Sequence, residues 1–270
     1  MYVETASKTD MGMVRSNNED SLFTIDESGS INSRFNSFGL YIIADGMGGH
    51  QGGEIASKIA TQVVSATILD NLTNIGKSQN PLSLVKEAIE KANKEICDVA
   101  GTRQELHSMG TTITMGLRLE NELYIGHVGD SRAYLVRGQE IERLTADHSL
   151  IAHLLKEGTI TPEEARTHPN RGVILRCLGL SGKVSVDSYY QDGKEAKLLL
   201  KNNDRLIFCS DGLTDCVTDD EIYTYVTKFQ TTVEVCEKLI ELSNIRGGED
   251  NISVIVVRVN QELNDEYTSK

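Results

Sequence analysis

Tryptophan is absent from this chain of 270 residues, and only 5% of its residues are aromatic. The hydrophobic core is therefore expected to be mainly aliphatic. The five cysteines are an odd number and form no C-x-x-C pair, which argues against a disulfide framework and against a zinc knuckle. Buried free thiols in a reducing compartment are the simpler interpretation.

Targeting and membrane signals are also missing. The first residues contain no basic region followed by an apolar one, and no apolar run approaches the roughly 18 residues of a membrane span. We therefore expect a soluble, cytoplasmic protein without a membrane span. Acidic residues outnumber basic ones by 40 to 27, a formal net charge of −13, which argues against nucleic acid as a partner and makes a monomer the default expectation.

The chain does contain four aspartates beside short apolar runs. Asp45, Asp130 and Asp211 each follow such a run, and Asp250 precedes one. Apolar runs rich in β-branched residues predict buried strands. Carboxylates at the ends of buried strands are costly unless something compensates their charge, and hard divalent cations such as Mg²⁺ and Mn²⁺ favour oxygen ligands.

The order of the predicted elements favours an α+β fold. Two helices are predicted over 53–70 and 81–99, and two late helices begin with capping boxes at Thr218 and Thr231. The strands come in runs rather than in strict alternation with helices, which favours antiparallel sheets. Because no composition break divides the chain, we expect one domain.

The helix predicted over 53–70 has an expected buried face. Ile55, Ile59, Val63 and Ile68 recur at nearly helical spacing. They are the side chains expected to face the core.

The acidic motifs suggest a specific chemistry. Two Mg²⁺ or Mn²⁺ ions about 3.5–4 Å apart can activate a shared water for attack on phosphorus. A guanidinium beside such ions can bind two phosphate oxygens. Arg15, shortly before Glu19 and Asp20, is the candidate.

Taken together, five motifs resemble those of the metal-dependent protein phosphatase family (PPM, type 2C), in its bacterial branch. They are Arg15-Ser-Asn-Asn-Glu-Asp20, Asp45-Gly-Met-Gly-Gly-His50, Gly129-Asp-Ser-Arg132, Ser210-Asp-Gly-Leu-Thr-Asp215 and Glu249-Asp-Asn251. The resemblance implies an α-β-β-α sandwich, with two central, mainly antiparallel sheets flanked by helix pairs. It implies hydrolysis of phosphoserine and phosphothreonine in proteins, with phosphoproteins and a cognate kinase as partners.

The resemblance covers the chain from Arg15 to Asp250, and we expect one catalytic domain over residues 1–260. Residues 261–270 are polar and are expected to form a tail. Residues 148–172 would form a flap bordering the metal cleft.

The resemblance also assigns roles to residues. Asp45 would bridge two Mn²⁺ or Mg²⁺ ions with the Gly46 carbonyl as a further ligand, Asp211 and Asp250 would bind the first ion, and Glu19 would bind the second directly or through water, with Asp20 behind the cluster. Arg15 would bind the substrate phosphate. A possible third ion would be bound by Asp130 and Asp215 with Asp211, and Asn251 and His50 would be supports that touch no metal.

One departure from the family pattern concerns the proton donor. Several members carry a histidine directly after the Asp-Gly pair, where this chain has Met47, which cannot donate a proton usefully. His50 lies nearby in sequence, and a metal-held water is another candidate, so the general acid stays open. Two other functions also remain: a non-catalytic phosphoprotein-binding module on the same fold, and a metal-dependent phosphatase of a small metabolite.

Overall fold

The structure, a computed structural model, describes residues 2–28, 35–48 and 52–260. These residues contain thirteen strands: β1 (Tyr2–Asp10), β2 (Asp20–Ser28), β3 (Ser37–Met47), β4 (Gly110–Thr111), β5 (Ile113–Leu119), β6 (Glu122–Val128), β7 (Arg132–Arg137), β8 (Glu140–Arg143), β9 (Tyr190–Gln191), β10 (Lys194–Glu195), β11 (Leu198–Leu199), β12 (Arg205–Cys209) and β13 (Ile252–Asn260).

The same residues contain seven α-helices: α1 (Gly52–Asn71), α2 (Pro81–Ala100), α3 (Leu150–Lys156), α4 (Pro162–Arg166), α5 (Asp211–Thr214), α6 (Asp219–Lys228) and α7 (Thr232–Ile245). None of these helices is both long and apolar enough to cross a membrane.

Two antiparallel sheets form the centre of the fold. The first has the strand order β1-β13-β12-β7-β8, and the second has the order β11-β6-β5-β3-β2, with β4 pairing to β3. Strands β9 and β10 make a separate hairpin. Every pairing between neighbouring strands of the two sheets is antiparallel.

Three hydrophobic layers hold the sheets and helices together. One layer lies between α1, α2 and the second sheet, another between α6, α7 and the first sheet, and the third between the two sheets. The order of layers is helix, sheet, sheet, helix. The predicted α-β-β-α sandwich is confirmed.

Strand β3 shows why the central strands are continuous apolar runs. Leu40 and Ile42 face the α1–α2 layer, whereas Tyr41 and Ile43 face the other sheet. Successive side chains of a strand point to opposite faces. Because both faces of β3 are covered, both sets are apolar.

The predicted helix starts are confirmed by their capping interactions. The Asn80 side chain accepts hydrogen bonds from the backbone N–H groups of Leu82 and Ser83 at the start of α2. The capping boxes that begin at Thr218 and Thr231 are both formed. Such caps satisfy backbone donors that have no partner within the helix.

The predicted buried face of α1 is wrong for three of its four residues. Ile55, Ile59 and Val63 are only partly buried, whereas Ile68 is fully buried as predicted, and the rest of the covered face is built from the smaller residues Ala56, Ala60 and Val64. Small side chains bring α1 close to β2, β3 and α2, all of which it contacts. Ile55, Ile59 and Val63 pack around the edge of this contact.

The segment predicted as a flap contains the short helices α3 and α4. Its two ends meet, because the N–H of Leu150 donates to the carbonyl of Val173 over 2.9 Å. Residues 261–270, predicted to form a polar tail, lie outside the described residues.

Candidate metal centre

Strand pairing brings the acidic motifs to one end of the two sheets. Asp20, the first residue of β2, lies opposite Asp45 near the end of β3. Strand β12 leads directly into Ser210 and Asp211, and its neighbour β13 begins just after Asp250. Carboxylates distant in sequence therefore converge because each one lies at or near the end of a core strand.

Asp45 and Asp211 interact directly across the gap between the two sheets. Burial, and after it the carboxyl groups of Asp211 and Asp20, raise the pKa of Asp45 well above its usual range. Burial, followed by Asp130 and Asp215, does the same for Asp211. The two sheets thus present buried acidic groups that repel one another when ionised.

Asp20 is held in place by a serine hydroxyl. Ser210 Oγ donates to Asp20 Oδ2 over 2.8 Å, and the N–H of Ser253 donates to the same Oγ over 2.9 Å. Burial raises the pKa of Asp20 to about 6, although the hydrogen bonds of Ser253 and Ser210 favour its ionised form. The other oxygen, Oδ1, is buried without a hydrogen-bond partner among the described residues.

Asn251 ties the Glu19 segment to β13. Its Oδ1 accepts a hydrogen bond from the N–H of Glu19 over 2.8 Å, and its Nδ2 donates to the carbonyls of Met11 and Asn17 over 2.9 Å each. The Asn251 amide thereby fixes the backbone on both sides of the turn that carries Arg15. Burial raises the pKa of Glu19.

Gly46 lies where a side chain does not fit. The Gly46 N–H donates to the carbonyl of Glu19 over 3.2 Å. A Cβ at Gly46 would collide with the carbonyl of Gly53 at the start of α1 and lie 2.6 Å from the Glu19 carbonyl oxygen. The absence of a side chain lets three backbone segments meet beside Asp45.

Arg15 reaches the acidic cluster from the surface. Its Nη2 lies 2.6 Å from Asp250 Oδ2, and both side chains are partly exposed. An exposed ion pair of this kind contributes little to stability. Arg15 can therefore exchange Asp250 for an incoming anion at low cost.

Asp130 and Asp215 also lie near Asp211. Burial, and next Asp147, raise the pKa of Asp130 to about 7. Burial likewise raises the pKa of Asp215, although Arg171 acts in the opposite sense. Both carboxyl groups act electrostatically on Asp211, so the three predicted for a further cation are neighbours.

The buried carboxylates fit hard divalent cations. Three of their oxygens are buried without a hydrogen-bond partner in the described part of the chain: Asp20 Oδ1, Asp130 Oδ1 and Asp211 Oδ1. Within residues 2–28, 35–48 and 52–260, no three or more carboxylate, histidine or cysteine side chains are arranged as a cage that could hold a metal ion. Mg²⁺ and Mn²⁺ need no such cage, because waters and backbone carbonyls complete their coordination.

Two hydroxyl groups in the site were missed by the sequence reasoning. Besides Ser210, Thr112 acts on Asp45: its Oγ1 accepts the Asp45 N–H over 3.0 Å and contacts Ser131 Oγ at 2.8 Å. In the sequence, only the position of Ser210 directly after a predicted strand indicated a role for its hydroxyl. No sequence feature indicated a role for Thr112. His50, a predicted support, lies outside the described residues.

Comparisons with known proteins agree with this geometry. Residues 6–151 match the family model described as protein phosphatase 2C. The serine/threonine phosphatase stp of Listeria monocytogenes is 34% identical over 250 residues, which cover 93% of each chain. The crystal structure of the Mycobacterium tuberculosis serine/threonine phosphatase PstP/Ppp has a TM-score of 0.81 at 34% identity, covering 96% of this chain and 99% of that one.

A further structure is that of the PstP catalytic domain in complex with two manganese ions, with a TM-score of 0.80 at 32% identity. It covers 96% of this chain and 99% of that one. The sandwich fold and its cluster of buried carboxylates define a phosphatase of the metal-dependent class. The chain belongs to the protein phosphatase 2C family, and it is accordingly an enzyme that dephosphorylates proteins.

Proposed function

We propose that this protein hydrolyses phosphoserine and phosphothreonine in other proteins with Mn²⁺ or Mg²⁺ as cofactor. One observation supports this most strongly: buried carboxylates from both sheets converge, and three of their oxygens lack a hydrogen-bond partner among the described residues. Such an arrangement is costly without a cation and favourable with one.

The proposed ligands are those that the family resemblance implies. Asp45, between the two sheets, and the Gly46 carbonyl would hold two ions. Asp211 and Asp250 would hold one of them, and Glu19 would hold the other directly or through water, with Asp20 behind the cluster. Asp130 and Asp215, with Asp211, would hold a third ion.

When bound, the ions supply Lewis-acid activation of water and neutralise charge on the phosphoryl group. Arg15 releases Asp250 and binds the phosphate oxygens of the substrate, since a guanidinium matches them in geometry and charge. Met47 holds no transferable proton, so the leaving alkoxide takes its proton from another group. Asn251 fixes the turn that carries Arg15.

The wider setting of the enzyme follows from the same reasoning. Its catalytic domain spans residues 1–260, with residues 148–172 as a flap beside the cleft. Its partners are cytoplasmic phosphoproteins, including a cognate serine/threonine kinase whose signalling it reverses. The enzyme works as a monomer, because an acidic chain of charge −13 disfavours self-association.

The test is hydrolysis of a phosphothreonine peptide and of p-nitrophenyl phosphate, with Mn²⁺ and with EDTA. We expect turnover with Mn²⁺ and none with EDTA. Asp211→Asn preserves the size of the side chain but removes its charge, and it should abolish turnover. Asp70→Asn, an exposed change on α1, is the matched control and should retain full activity.

Each contrary outcome has a distinct meaning. Turnover that persists in EDTA contradicts the metal mechanism. Complete inactivity of the wild type with Mn²⁺ supports the non-catalytic phosphoprotein-binding module instead. Turnover of p-nitrophenyl phosphate together with small phosphorylated metabolites, but not of the peptide, supports the metabolite phosphatase.

A further inference from the structure

His148 is a buried histidine at the start of the flap segment that has no role in the proposed chemistry. It contacts the loop carrying Asp130 through two hydrogen bonds to the same residue. The backbone N–H of Gly129 donates to the ring atom Nδ1 of His148 over 2.9 Å, and the backbone N–H of His148 donates to the Gly129 carbonyl over 2.7 Å. His148 therefore holds both backbone polar groups of the residue before Asp130.

These contacts determine which ring nitrogen carries the proton. A backbone N–H can only donate, so Nδ1 of His148 must present a lone pair to Gly129. The proton of the neutral ring is then on Nε2, which lies 3.1 Å from Asp187 Oδ2. His148 thus accepts from the Asp130 loop on one side and donates to a carboxylate on the other.

Asp187 links His148 to Arg176, which lies four residues beyond the flap. Arg176 Nη1 donates to Asp187 Oδ1 over 2.6 Å and to the carbonyl of Ser185 over 2.9 Å. Asp187 is itself fixed to the second sheet, because its backbone exchanges two hydrogen bonds with that of His127. The carboxylate therefore has a rigid position.

The backbone of His148 also closes the base of the flap. Its carbonyl accepts the Leu175 N–H over 2.7 Å, and Ser149 forms a bridge with Ile174. Asp187 thus joins His148, the first residue of the flap, to Arg176, which follows its last residue.

The orientation of the Asp130 loop depends on this support. Gly129 has a φ of +118°, a backbone conformation that strongly favours glycine. A Cβ there would lie 2.5 Å from Cβ of Thr112, whose hydroxyl accepts the Asp45 N–H. The backbone of Gly129 is therefore confined between Thr112 and His148, and the direction of Asp130 follows from it.

We propose that His148 is a positioning residue for the phosphatase reaction: with Asp187 and Arg176 it forms a clasp that locks the Asp130 loop to the base of the flap. The clasp directs Asp130 toward Asp211 while keeping the two ends of the flap together. The inference rests on the proposed function, because the metal cleft is what the loop and the flap border.

Two substitutions of His148 separate the two halves of the clasp. Asn places a carbonyl oxygen near the position of Nδ1, so His148→Asn retains the acceptor for Gly129 but loses contact with Asp187. Gln reaches the position of Nε2, so His148→Gln retains the contact with Asp187 but loses the acceptor. His153→Ala removes an exposed histidine from the same segment and is the matched control.

The first readout is turnover of the phosphothreonine peptide with Mn²⁺. Partners that orient metal ligands typically contribute about 10- to 100-fold, so His148→Gln should lower kcat at least tenfold with KM within about twofold. KM should stay nearly unchanged because His148→Gln does not alter the binding of the substrate phosphate by Arg15. His148→Asn should stay within about threefold of the wild-type kcat, and His153→Ala should equal the wild type.

The second readout is hydrogen exchange of the metal-free protein, which does not depend on activity. The Gly129 amide should exchange at least tenfold faster in His148→Gln than in the wild type and stay protected in His148→Asn. Equal kcat values for the Asn and Gln variants, or an unchanged Gly129 amide in the Gln variant, would overturn the proposal. An inactive wild type whose Gly129 amide follows this pattern would contradict the phosphatase function alone.

Discussion

Asp20→Asn tests whether the acidic cluster is strained without metal. The substitution removes a buried charge but retains the shape of the side chain, and the amide oxygen can still accept the hydrogen bond from Ser210. The amide nitrogen supplies a donor where the carboxylate has an unpartnered oxygen. We therefore expect the metal-free variant to be more stable than the metal-free wild type at neutral pH.

The magnitude follows from the raised pKa. A rise from the ordinary value of 3.8 to about 6 corresponds to about 3 kcal/mol between the two protonation states. Because the folded pKa of Asp20 is the higher one, its favourable contribution is complete below pH 3.8 and is lost as the pH rises through about 6. The variant should therefore gain up to about 3 kcal/mol over the wild type at pH 7.5, or roughly 6–12 °C in Tm.

Thermal unfolding in EDTA between pH 4 and pH 8 is the assay. The advantage of Asp20→Asn should be small at pH 4 and largest above pH 7, and Asp70→Asn should show no such trend. Saturating Mn²⁺ should raise the Tm of the wild type more than that of Asp20→Asn, because the ions offset the same charge. An Asp20→Asn protein that is less stable than the wild type in EDTA at pH 7.5 would refute the reasoning.

Three further perturbations have definite expected results. Arg15→Ala should lower kcat/KM about 10- to 100-fold, mainly through KM, since charge-assisted hydrogen bonds to phosphate are lost; unchanged kcat and KM would remove Arg15 from its role. Gly46→Ala should cost about 1–3 kcal/mol in urea unfolding, because its Cβ meets the Gly53 carbonyl, and wild-type stability would contradict that clash. Burial, and next His148, lower the pKa of His127 to about 3, so its own contribution to the stability of the wild type should fall as the pH drops below 6.5. Between pH 7 and pH 5 the free energy of unfolding of the wild type should therefore decrease by up to about 2 kcal/mol relative to that of His127→Gln; the same change in both proteins would show that His127 is not buried in its neutral form.

The fold could be predicted because local signals agreed with the global arrangement. The run Leu40–Ala44 is apolar at every position, as expected for a strand covered on both faces, and the cap at Asn80 set the start of α2. The buried face of α1 could not be predicted in the same way. Hydrophobicity favoured Ile55 and Ile59, whereas close contact with β3 and α2 selected Ala56 and Ala60.

The site was only partly visible in the sequence. Asp45, Asp211 and Asp250 stand beside apolar runs. Their positions near predicted strand ends indicated that these three carboxylates lie close together in the fold. Ser210 and His148 act through hydrogen bonds to residues far away in sequence: Ser210 Oγ bonds a carboxylate 190 positions away. Such hydrogen bonds depend on how one sheet packs against the other, so no local sequence pattern predicts them.

The most direct test of the metal centre is a crystal structure of the wild type soaked with Mn²⁺. Two ions should bind in the cleft, one bridged to the other by Asp45, with Asp211 and Asp250 on one of them and the Gly46 carbonyl among the ligands. A fully soaked crystal in which Mn²⁺ avoids Asp45, or in which Asp211 and Asp250 hold no ion, would contradict the mechanism.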